Sequence, residues 1–144
     1  MSVTETMIAI AKVERTLAPP AGAKALASIT EEPPADVSVY PTIINLEGDG
    51  DVDERSAGTG TKASRSMRYF VEVHILFAPS ADPKMAYRER RLWLAPLLDL
   101  FQANPTLDGK VTSSDIRGFD HEPYGWNGID YVAINLRVEI LDDE

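Results

Sequence analysis

The stretch from Asp82 to Val111 restricts the fold more than any other part of the chain. An Asp-Pro pair opens it. The carboxylate of Asp82 is placed to cap a helix, and Pro83 lacks only an N–H that the first helical turn leaves unpaired anyway. Tyr87, Leu94, Leu97, Leu98 and Phe101 then recur at helical spacing, with Trp93 and Leu100 widening the stripe, which predicts an amphipathic helix over 83–103. Pro96 falls inside it and is expected to kink the helix or divide it in two. Asn104-Pro105-Thr106-Leu107-Asp108-Gly109 ends it. Proline biases Asn104 away from the α region, and Asp-Gly supplies a tight turn into Lys110-Val111.

Other segments carry their own periodicity. Val3, Met7, Ile10 and Leu17 share a seam, so residues 3–17 read as a first helix, closed by Pro19-Pro20. Residues 18–37, rich in Ala, Pro and Glu, are expected to be mostly connection, anchored by Leu26 and Ile29. Val39 to Leu46 reads as a first strand, with Pro41 at its start. Arg68 to Phe77 is a second, placing Tyr69, Val71, Val73, Ile75 and Phe77 on one face and Arg68, Glu72 and His74 on the other. Val111 to Ile116 is a short strand, and residues 117–129 are expected to be a loop anchored by Phe119, Tyr124 and Trp126. Tyr131 to Ile140 closes the chain with Val132, Ile134, Leu136, Val138 and Ile140 inward and Asn135, Arg137 and Glu139 outward. The order predicts an α+β fold: an antiparallel sheet of about four strands with helices packed on one face. Between the first two strands, Glu47 to Ser66 is a 20-residue polar stretch, expected to be the long flexible loop of a hairpin.

A chain of 144 residues suits one domain, 1–144, with a real hydrophobic core. Cysteine is absent, which excludes disulfides and thiolate metal sites and fits a reducing compartment. No apolar run is long enough to span a membrane, and no basic stretch leads into a hydrophobic block, so neither a span nor a secretory signal is expected. A net charge of −9 argues against nonspecific nucleic-acid binding over the whole surface. The charge is also unevenly spread. Residues 31–54 hold eight acids and no base, and residues 55–91 hold eight bases against three acids. Such a bipolar subunit can set its positive flank against a neighbour's negative one, which favours register and partner choice.

The candidate chemical motifs do not close. Asp49-Gly50-Asp51-Val52-Asp53 starts like a calcium loop, but position 6 is Glu54 instead of glycine and position 12 is Gly60 instead of glutamate. Gly58-Thr59-Gly60-Thr61-Lys62 has the wrong spacing for a phosphate loop. His74 is expected at a surface or interface. His121, between Asp120 and Glu122, has no histidine at ligand spacing and no nucleophile motif beside it. No catalytic, cofactor or metal site is therefore expected. Arg88, Arg90 and Arg91 next to Trp93, with Arg65 and Arg68, form a composition enriched at interfaces.

The run Leu97-Leu98-Asp99-Leu100-Phe101-Gln102-Ala103-Asn104-Pro105-Thr106-Leu107-Asp108-Gly109-Lys110-Val111, followed by a strand, a Gly/aromatic loop and a closing alternating strand, resembles the tail terminator proteins of long-tailed bacteriophages. These are also called tail completion or tail-to-head joining proteins. In that family the helix often ends in a similar Pro-Thr-Leu-Gly-Gly element. The resemblance also takes in the N-terminal helix, the early strand through Tyr40-Pro41 and the long hairpin, whereas 18–37 has no counterpart. It implies a structural virion protein, assembled in the host cytoplasm. Such a protein forms a homo-hexameric ring on the tail tube, ends tube polymerisation and docks neck or connector proteins, while DNA passes without specific binding. Glu47, Asp49, Asp51, Asp53 and Glu54 are then candidates for a loop lining the lumen or a ring face. Other readings are another neck, head-completion or tail-tube subunit, or a small cytoplasmic enzyme or ligand-binding domain using Asp120, His121 and Tyr124.

Overall fold

A computed structural model describes residues 3–55 and 64–143, the side chains at 53–55, 64 and 65 excepted. The elements run α1 (Val3–Glu14), β1 (Ser28–Thr30), β2 (Thr42–Arg55), β3 (Ser64–Pro79), α2 (Ala86–Ala103), β4 (Ser113–Asp120), β5 (Tyr124–Trp126) and β6 (Ile129–Asp143). Six strands form one sheet in the order β1-β2-β3-β6-β4, with β5 also paired to β6. The α+β class agrees with the sequence, but the sheet is larger than expected and mixed, because β1 pairs parallel to β2. No helix among the described residues is long and apolar enough to cross a membrane.

Alternation in β3 and β6 builds the core. Val71, Val73 and Ile75 face Val138, Leu136 and Ile134 across the antiparallel pair, all fully or nearly buried. Both helices pack on that face, α1 through Met7, Ile10 and Val13, α2 through Trp93, Leu97, Leu100 and Phe101. Each large side chain buried there contributes roughly 1.5–3 kcal/mol relative to exposure. The same burial explains why Pro96 does not divide α2. Trp93 before it and Leu97 after it are both wholly buried against the sheet, and the element stays one helix of 18 residues.

Several expectations are corrected. Residues 28–30 form β1 inside the presumed connection. The first strand starts at Thr42, not Val39, and continues through most of the expected 47–66 loop. Glu47–Arg55 pairs with Ser64–Val71, and 56–63 lie outside the described residues. Glycine and aspartate are poor strand formers alone, but the strongly patterned β3 serves as their template and sets Asp51 opposite Arg68. β4 runs on to Asp120, and β5 with the Asn127-Gly128 turn occupies the expected aromatic loop. Asp82 does not cap α2. A turn from Pro83 to Ala86 comes first, Met85 holds the N-cap without a side-chain bond, and Tyr87 is 47% exposed instead of joining the stripe.

A buried polar pair ties α1 to the sheet. Asn45 Nδ2 donates to Glu14 Oε1 at 2.6 Å and to the Thr30 carbonyl at 3.0 Å, linking α1, β1 and β2. Glu14 has no exposed surface, and burial pushes its carboxyl up to about 8, so it is neutral in the fold at neutral pH. Between pH 4.5 and about 8 the folded chain keeps a proton that the unfolded chain gives up. Stability therefore falls as pH rises through that window, by at most about 1.4 kcal/mol per unit. Urea unfolding across the window is expected to show a shallower decline for Glu14→Gln than for the native chain; equal slopes would contradict this assignment.

Candidate functional site

The turn that ends α2 is held by a dense set of hydrogen bonds. Asn104 Nδ2 donates to the Leu100 carbonyl at 2.8 Å, and the Thr106 carbonyl accepts from Lys110 and Val111 at 2.9 and 3.1 Å. Thr106 Oγ1 accepts from Gly109 N, and the Pro105 carbonyl accepts from Ser114 N at 2.7 Å, fixing the start of β4. Leu107, Asp108 and Gly109 are left-handed in succession, with φ of 50°, 61° and 78°. A non-glycine residue there is sterically disfavoured. The plug offsets this: the Leu107 side chain has no exposed surface. Between the turn and α1 lies a groove of about 540 Å³, lined by Ile8, Ala9, Lys12, Leu107, Asp108 and Lys110 among others.

The arginine flank divides in two. Arg88 Nη1 donates to the Gly22 carbonyl at 3.0 Å, and Arg90 Nη1 to the His121 carbonyl at 3.1 Å while its guanidinium lies 5.0 Å from the Tyr87 ring centre. These two brace loops of their own chain onto α2, and Arg91 is the exposed member that no such contact engages among the described residues. Trp93 is 0% exposed, so it is a core residue with no surface to offer a partner, contrary to the interface expectation. Arg68 lies on the sheet face away from the helices, 3.9 Å from Glu139. The Arg65 side chain lies outside the described residues, as do those of Asp53 and Glu54. Glu47, Asp49 and Asp51 are exposed, but on a paired strand and not a free loop.

That second face carries polar residues which sequence reasoning left unassigned. Arg137 stacks over Phe70 with its guanidinium 3.6 Å from the ring centre, and Arg117 Nη2 lies 3.1 Å from Glu139 Oε1. Phe70, an aromatic in the polar register of β3, was the available signal. Further along, His74 is 4% exposed, which corrects its expected surface position. Tyr124 covers it in a stacked contact with centroids 3.8 Å apart, and Trp126 follows Tyr124, its indole N–H donating to the Pro34 carbonyl. Asn135 Nδ2 donates to Asp120 Oδ1 at 2.6 Å and to the Glu122 carbonyl at 2.9 Å, which leaves its Oδ1 to accept from His74 Nδ1 at 2.6 Å. His121 is exposed, its ring against Phe119. The enzyme-style trio is thus split: Asp120 and Tyr124 serve the His74 cluster, and His121 points elsewhere. Among the described residues, no group of three or more His, Asp or Glu side chains is placed to hold a metal ion.

Burial lowers the His74 pKa below 6.5, outweighing the Asn135 bond and the acids Glu72 and Asp120 that raise it. The unfolded chain therefore binds more protons just below pH 6.5, and this site's contribution to stability falls as pH drops through that range. In an NMR titration the His74 ring is expected to titrate below 6.5; a midpoint above it would mean that the acids outweigh burial.

Compared with known proteins, the chain matches no family model and no curated protein.

Proposed function

We propose that this chain is a structural virion subunit of the tail-terminator kind. In this reading it forms a ring at the head-proximal end of a phage tail tube, ends tube polymerisation and joins the tail to the neck. The observation that carries the reading is the backbone at Asp108. The resemblance rests on Pro105-Thr106-Leu107-Asp108-Gly109, and the family often has glycine where this chain has Asp108. A φ of 61° is one that glycine adopts freely and aspartate tolerates, so both sequences suit one turn around a buried leucine. The exposed acids Glu47, Asp49 and Asp51 on β2 would repel phosphates and let DNA pass without sticking.

Two outcomes test it. Asp108→Gly is expected to stay within about 1 kcal/mol of the native stability, and Asp108→Val to lose about 1–3 kcal/mol in chemical unfolding. Equal stability of the two variants would remove the argument from the turn. Mixed with purified tail tubes and imaged in negative stain, the protein is expected to sit at one end only and to stop further addition of tube subunits. Tubes that keep growing at both ends would contradict the proposal.

A further inference from the structure

The sheet ends in two open edges at its opposite sides. β1 covers β2 only from Thr42 to Ile44, and no strand among the described residues pairs with that side of β2 further on. On the other side, the outer edge of β4 carries one backbone bond among the described residues, from Ser114 N to the Pro105 carbonyl, and pairs with no described strand beyond it. Alternating unpaired N–H and C=O groups along a strand are satisfied as a set only by another extended backbone.

The two edges fit one another better than either fits itself. β3 is antiparallel to β2, β6 to β3 and β4 to β6, so β4 runs opposite to β2. Continuing the sheet from one copy to the next therefore joins them antiparallel, and the helix-bearing faces coincide. On that face a groove of about 470 Å³ follows β4, lined by Leu98, Phe101 and Gln102 of α2 with Ile116 and Phe119. Phe119 is 48% exposed beside it. On β2 the same face presents Val52, 59% exposed, next to a hollow of about 250 Å³ that includes Gly48 and Gly50. A projecting valine meets a groove, and a projecting phenylalanine meets bare backbone.

Charge disfavours the pairing of two β2 edges. Glu47, Asp49 and Asp51 on β2 would repel a second β2. The opposite face of β4 carries Arg117, 53% exposed and shared between Asp115 and Glu139, with Arg137 on β6 beside it. Asp51, opposite Arg68, lies on that face. We propose that the β4 edge and its α2-lined groove receive the β2 edge of a second copy of this chain. This rests on the ring reading above and names its subunit contact, a junction of unlike surfaces of the kind that closes into rings.

The chain has no cysteine, which makes cross-linking decisive. In a Val52→Cys/Phe119→Cys double variant, a short bismaleimide is expected to give a ladder of covalent multimers on denaturing gels. An equal mixture of the two single variants should stop at dimers. Val52→Lys and Phe119→Lys should each abolish assembly, with melting curves unchanged because both side chains project from the surface. Rings on tail tubes that give no ladder and survive both lysine substitutions would overturn this contact alone. A protein that stays monomeric and uncrosslinked at high concentration would overturn it as well. A ladder without any tube-bound ring would instead sink the terminator reading and leave the contact standing.

Discussion

The antiparallel ladder of β3 and β6 is the constraint on which the rest of the molecule depends. It pairs Val71, Val73 and Ile75 with Val138, Leu136 and Ile134, one apolar row against another at the centre of the sheet. A slip of one residue would turn every one of these side chains to the other face, so register is fixed by burial itself. Both helices settle on that row, and β2 and β4 are added on either side of it. Because the strongest pairing sits in the middle, the weaker and more polar strands are left at the margins. The open edges are a consequence of where the apolar sequence lies.

The face away from the helices shows how a polar surface is stabilised without a second layer of helix. One end is roofed by Pro34, Val37, Tyr40 and β5, with Tyr124 over His74, Trp126 beside Tyr124, and a small apolar cluster around Ile44, Leu76, Tyr131 and Ala133. At the other end, Arg137 lies over Phe70 and Arg117 shares Glu139 with Arg68. Exposed pairs of this sort add little to stability individually. They leave a patterned surface, and Arg88 and Arg90 likewise serve their own chain first.

What the sequence revealed follows from this division. Strong local alternation in β3 and β6 and the helical stripe of α2 could be read directly, as could the one-sided placement of both helices. β1 and the distal half of β2 could not, because Ser28–Thr30 and Glu47–Arg55 have no strand pattern of their own and pair only when a neighbouring strand supplies the ladder. Trp93 was assigned two roles, core stripe and interface, and burial decides for the core. His74 was misplaced for a related reason: alternation put it on the polar face correctly, but nothing in the chain announced that Tyr124, fifty residues later, would lie across it. The groove beside β4 arises from α2 and a strand ten residues beyond it, a juxtaposition visible only once the turn around Leu107 is formed.

The central claim is that this sheet is completed by another copy of itself, edge to edge. Hydrogen–deuterium exchange, comparing the dispersed chain with the assembled one, tests it most directly. The account predicts that new protection on assembly concentrates in β2 beyond Ile44 and in β4 beyond Ser114, with β3 and β6 slow in both states. Protection that gathers instead around Arg91 and the exposed face of α2, with both edges still exchanging freely, would contradict it.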